Sequence, residues 1–153
     1  MPTQLLKLGG LSRATGVSVP TLGRWFDRGT FKQSRRDKAS TGHGDHRQFS
    51  RDTVIQIAIA KQLIDLGMSA GPANTAATVF TEHGQRGREP AKPFTQGRTI
   101  LALRKSGPVV LNAFDADFGE LSDFGVAFVA VDCGKICKEI DAQITSTNIS
   151  KAT

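Results

Sequence analysis

Tyrosine is absent from this chain, and there are only two cysteines, two methionines and one tryptophan. Without tyrosine there can be no tyrosine nucleophile of the recombinase or topoisomerase kind. Two cysteines behind a start, MPTQLLKLGG, that lacks the basic-then-apolar order of a signal peptide argue against a disulfide framework. They point instead to a reducing cytoplasm. No apolar run reaches about 18 residues, so no membrane span is expected. The phosphate-cradling GxxxxGK[ST] and the dinucleotide-binding GxGxxG do not occur, and no histidine stands in an evident carboxylate-and-nucleophile set. The expectation is a protein that is not an enzyme, with no catalytic residues, no metal and no cofactor. Hydrophobic residues make up 39% of 153, enough for one ordinary domain or two small ones.

What the chain does have is positive charge at one end. Residues 1–52 hold ten lysines and arginines (positions 7, 13, 24, 28, 32, 35, 36, 38, 47 and 51) against four aspartates (27, 37, 45 and 52). The remaining residues balance ten bases with ten acids, so the formal net charge of +6 sits entirely in the amino-terminal third. Such a distribution suits release of counterions from nucleic-acid phosphates.

Within that third, residues 8–28 read LGGLSRATGVSVPTLGRWFDR. Leu5, Leu8, Leu11 and Ala14 recur at three-residue steps and mark one face of a first helix over about 8–15. Gly16 ends it, because a helix C-terminus commonly needs a positive φ. Ser18 then caps a second helix over about 19–28, and Pro20 fits its first turn. Leu22 and Phe26 face the first helix, while Thr21, Arg24 and Arg28 lie at i, i+3 and i+7 on a polar face. A face of that kind suits the DNA major groove, where arginine reaches phosphates or a guanine edge and Ser18 or Thr21 either.

Residues 30–49 contain RRDK, a flexible STGHGD tip and HRQF. Two short arms around that tip make a hairpin, or wing, that lays Arg35, Arg36, Lys38 and Arg47 along the backbone or into the minor groove. Phe31 and Phe49 anchor the wing to the core. His43 belongs to the tip, within reach of phosphate, and Trp25 suits either stacking on sugar or base or packing between helix and wing. Ser50 caps a third helix over 51–66, with Ile55, Ile59, Leu63 and Leu66 as its buried stripe and Gly67 as its stop.

GVSVPTLGRWFDRGTF, then HRQFS, then a long apolar helix ending in DLGMS resembles the MerR-type winged helix-turn-helix over roughly residues 5–80. Excisionase-like proteins share the fold, and Arg24-Trp25 is closer to theirs. The resemblance implies that Ser18, Val19, Thr21 and Arg24 face DNA from the second helix, and Arg47 from the wing. Gly23 stands where the family usually has arginine, and Trp25-Phe26 replace its Tyr-Glu.

The carboxyl-terminal half departs from that family, which normally continues into a long antiparallel coiled coil. Here Ser69 caps a short helix with Ala73, Ala76, Ala77 and Phe80 on its apolar face. The glycines and prolines of residues 82–97 then break any continuous helix, and an exposed linker is expected. Runs at 99–103, 109–114 and 126–131 read as strands, with Gly107-Pro108 turning the first into the second. Asp132 caps a last helix over 133–145. Cys133, Ile136, Cys137, Ile140 and Ile144 form one apolar stripe, so the cysteines read as core rather than ligands. Asp115, Asp117, Glu120 and Asp123 read as a solvated acidic turn rather than a cation site.

The expected fold class is therefore α+β. A winged helix-turn-helix domain (1–81) is followed by a linker (82–97) and a small β-β-β-α module (98–153) for dimerisation or interaction. The expected function is a sequence-specific, DNA-binding transcriptional regulator, a cytoplasmic, nucleoid-associated homodimer acting on double-stranded DNA as a repressor rather than an activator. An excisionase-like factor that bends DNA is the alternative of the same kind. A protein-interaction or ligand-sensing module tethered to DNA is the alternative of another.

Overall fold

In the computed structural model the described residues are 5–31, 34, 36–38, 47–113 and 129–151, with side chains described through 147. Among the described residues, five helices and two small antiparallel sheets make a mixed α+β fold. The chain runs β1 (Leu6–Lys7), α1 (Leu8–Thr15), α2 (Val19–Asp27), β2 (Gln48–Phe49), α3 (Arg51–Asp65) and α4 (Ala70–Thr81). It continues with β3 (Arg98–Arg104), β4 (Gly107–Ala113), β5 (Val129–Asp132) and α5 (Cys133–Lys151).

The helix-turn-helix forms where the local signals place it. Gly16 ends α1 at φ 75°, and its N–H donates to the Ser12 carbonyl at 2.9 Å. Ser18 precedes α2 in extended conformation and its Oγ accepts from the Thr21 N–H. Leu11, Val17 and Leu22 close the corner between the two helices in the core. Phe26 is half-buried against the core. Its ring stacks on Phe49 at 4.8 Å and meets Phe31 edge-on at 5.3 Å, so it packs under the wing's anchors.

α3 is the axis of the molecule. The expected stripe of Ile55, Ile59 and Leu63 is fully buried, but so are Val54, Ile57 and Ala60, because α1, α4 and α5 pack around this helix. Leu66 corrects the reading. It is 66% exposed, because it occupies the C-cap and Gly67 turns the chain away at φ 103°. Ser50 is also corrected as a cap: its backbone has the right conformation, yet its buried hydroxyl makes no hydrogen bond. The carboxylate of Asp37, on the wing, instead ties down the residues at the head of α3. It accepts from the Ser50 N–H at 2.6 Å and the Thr53 hydroxyl at 2.7 Å, and also from the Ser34 N–H at 2.9 Å. A negative group is favoured at this end of a helix by the macrodipole. Ser69 likewise stands at the start of α4 without a side-chain capping bond.

Residues 82–97 are not an exposed linker throughout. Arg88 is buried, and its guanidinium donates to the carbonyls of Val79, Phe80, His83, Glu89 and Lys92. It also lies 4.8 Å over the Phe80 ring. Ala91 is fully buried at φ 59°, donating to the Phe80 carbonyl and accepting from Arg51 Nη1 at 3.0 Å. One arginine thus satisfies the carbonyls at the end of α4 and folds the following turn back on them.

The second sheet has the order β4-β3-β5, all antiparallel. Arg104 pairs with Gly107, so the turn itself is Lys105 and Ser106 and Gly107, at φ 116°, already opens β4. Asp132 ends β5 and its Oδ1 accepts from the Lys135 N–H, capping α5 as expected. Cys133, Ile136, Cys137 and Ile140 are buried and both cysteines are free. Burial raises both thiol pKa values, that of Cys137 to about 11. One cluster of buried side chains runs from Leu6 to Ile140, so the apolar core is continuous across residues 82–97. Arg51 adds a polar tie across the same join, with Nε 2.6 Å and Nη2 3.0 Å from the two carboxylate oxygens of Asp141.

Candidate nucleic-acid interface

The exposed side of α2 carries a file of three hydrogen-bonded side chains. Ser18 Oγ donates to Thr21 Oγ1 at 2.8 Å, and Arg24 Nη2 donates to the same oxygen at 3.3 Å. Thr21 Oγ1 accepts twice, so its own proton is left to donate outward. Ser18 and Arg24 are exposed and Thr21 is half-buried. The file is therefore oriented before any partner arrives, which lowers the cost of ordering it on contact. Val19, at the start of the helix, is 42% exposed, and Arg28, one residue past its end, is also exposed. Trp25 packs partly buried against the core.

The base of the wing stands beside this helix. Lys38 and Gln48 exchange two backbone hydrogen bonds of 2.8 and 2.9 Å, which fixes where the two arms meet. The return arm then pairs with β1, Leu6 opposite Phe49 and Lys7 opposite Gln48. The Lys38 side chain is exposed. Arg36 is two-thirds exposed and its Nη1 lies 2.8 Å from Asp52 at the head of α3. Burial raises the pKa of Asp52, and Arg36 works against that shift. Arg47 reaches back to α2, with Nη2 2.8 Å from Asp27 Oδ1 and its guanidinium 5.7 Å from the Phe26 ring centre. Arg35 and His43, two more expected contacts, lie outside the described residues, as does the acidic turn at 115–123.

The structure brings Ser18, Thr21 and Arg24 together and sets Arg47 against the same helix. It ties Arg36 to α3 instead. Asp27 and Asp37 were counted in the sequence only as acids, and Asp52 as an acid favourably placed in the first turn of the third helix, yet each holds part of this surface in place. A local signal existed for Asp37 alone, in the Ser34-x-x-Asp37 spacing of a tight polar turn. The other two pairings join residues 16 and 20 positions apart. Among the described residues no cluster of three or more His, Cys, Asp or Glu could hold a metal, and no helix is long and apolar enough to cross a membrane.

A capped helix with a preset polar file, flanked by a cationic hairpin, is the arrangement of a winged helix-turn-helix. Residues 6–74 match the family model described as MerR HTH family regulatory protein. This amino-terminal part of the chain matches a MerR-type helix-turn-helix domain, which supports a DNA-binding transcriptional regulator. The match ends within α4, so the second sheet and α5 lie outside it. Comparison with curated proteins found no match.

Proposed function

We propose that the chain is a sequence-specific regulator, acting as a homodimer without enzymatic activity, that inserts α2 into the major groove and lays its wing along the flanking backbone or minor groove. The observation that carries this reading is the Ser18–Thr21–Arg24 file, exposed and already hydrogen-bonded on the helix that the fold presents. The formal +6 concentrated in residues 1–52 supplies the phosphate attraction.

The dimer rests on recognition arithmetic. One short helix reads few base pairs, and two copies on an inverted repeat supply the rest. A second copy is not needed to cover the small sheet, because α4 packs on β3 and β4 and α5 on β3. Repression is favoured over activation because the coiled-coil dimer of MerR-type activators has no counterpart among the described residues.

Selection of bound duplexes from random DNA, followed by footprinting, tests the reading. An enriched inverted repeat is expected, with affinity falling steeply as salt rises, each phosphate contact adding about −0.9 to the log–log slope. Failure to enrich any sequence, or a flat salt dependence, would overturn it.

A further inference from the structure

Gly23 sits inside α2, partly exposed, and a Cβ placed on it would meet nothing within 4 Å. Its φ is not positive, unlike those of Gly16 and Gly29 at the helix ends. Neither backbone conformation nor internal packing calls for glycine here, and glycine inside a helix is destabilising relative to alanine. The missing side chain leaves a notch in the outer surface of α2. Val19 lies one turn earlier on the same flank, at i and i+4. Val19 and Leu66 are the large apolar side chains left exposed among the described residues, and Val19 alone is on this helix. Neighbouring Thr21 and Arg24 form hydrogen bonds; Val19 and Gly23 present only hydrocarbon and bare backbone.

We propose that Val19 and Gly23 form an apolar step that reads the C5 methyl of a thymine, with Val19 making the contact and Gly23 giving the base edge room to approach. In the major groove that methyl is the one hydrocarbon feature distinguishing a base pair, and a short aliphatic side chain at the start of the second helix is placed to touch it. The inference rests on the major-groove reading above. α2 would then use two modes of recognition, polar along Ser18–Thr21–Arg24 and apolar along Val19–Gly23.

The test uses the full-length protein and the duplex recovered by selection, with each thymine replaced singly by deoxyuridine, which lacks only the methyl. At one position per half-site the wild-type protein should lose affinity about four-fold, the size expected for one buried methyl. In Val19→Ala that thymine–uracil difference should disappear, while discrimination at guanine positions persists. Gly23→Ala should raise Tm by about 2–4 °C, through better helix propensity, and weaken binding at least five-fold. If uracil replaces every thymine without loss, or Gly23→Ala binds as the wild type does, the apolar step is wrong while DNA binding stands. If no duplex is bound at all, the major-groove reading fails and the apolar step with it. The uracil series needs no variant, so it decides the matter even where a substitution impairs folding.

Discussion

Arg47 and Asp27 join the wing's return arm to the last turn of α2 through a 2.8 Å contact between residues 20 positions apart. The pair holds a cation of the proposed phosphate-binding surface against an acid of the same surface. Asp27 is two-thirds exposed, so the contact adds well under about 1 kcal/mol to folding. Its larger effect is on charge. Asp27→Asn leaves Arg47 an acceptor but removes one negative charge facing the DNA. Affinity at low salt should rise severalfold with Tm nearly unchanged, and fluorescence anisotropy at two salt concentrations measures it.

Arg24 is exposed and bonds only Thr21 among the described residues. Arg24→Ala should therefore leave stability within about 0.5 kcal/mol and weaken binding to the selected site roughly ten-fold or more. Equal affinity for wild type and variant at physiological salt would remove Arg24 from the interface.

Asp37 is a single carboxylate with three donors, drawn from Ser34, Ser50 and Thr53. Asp37→Ala strips the head of α3 of its acceptor and frees the wing's first arm, at a cost of about 2–3 kcal/mol. Urea denaturation measures the loss. Because the wing is then unmoored, DNA affinity should fall even at temperatures where the variant is fully folded.

Arg88 works by geometry as much as by charge. Its fork serves five carbonyls, and an ammonium has three donors. Arg88→Lys should accordingly cost nearly as much as Arg88→Met, about 3 kcal/mol or more in either case. A lysine variant as stable as the wild type would show that charge alone suffices.

The thiol of Cys137 has its pKa raised by burial from 9.0 to about 11. A raised thiol pKa means that the folded chain favours the neutral form. The stability this gives is complete below about pH 9 and is lost as pH rises toward 11, by roughly 2–3 kcal/mol at most. Wild-type stability should decline over that window more steeply than that of Cys137→Ala. Both cysteines should also resist a thiol reagent at pH 8 until the chain is unfolded.

The helix-turn-helix was legible from the residues alone, because each of its signals is local. Gly16 and Ser18 act within one turn of their own positions, and the spacing of Leu11, Leu22, Thr21 and Arg24 sorts buried from exposed by helix geometry alone. The strands β3 and β4, the start of α5 after Asp132 and its cysteine stripe were legible for the same reason. Tertiary structure decided what depends on partners distant in the chain. Asp37 ties Ser50 and Thr53 at the head of α3, Arg88 folds 82–97 onto α4, and Arg51 grips Asp141 from 90 positions away. No periodicity encodes such bonds: a buried carbonyl or an orphan N–H takes whichever charged group the fold brings near, and that is settled only when the helices have packed.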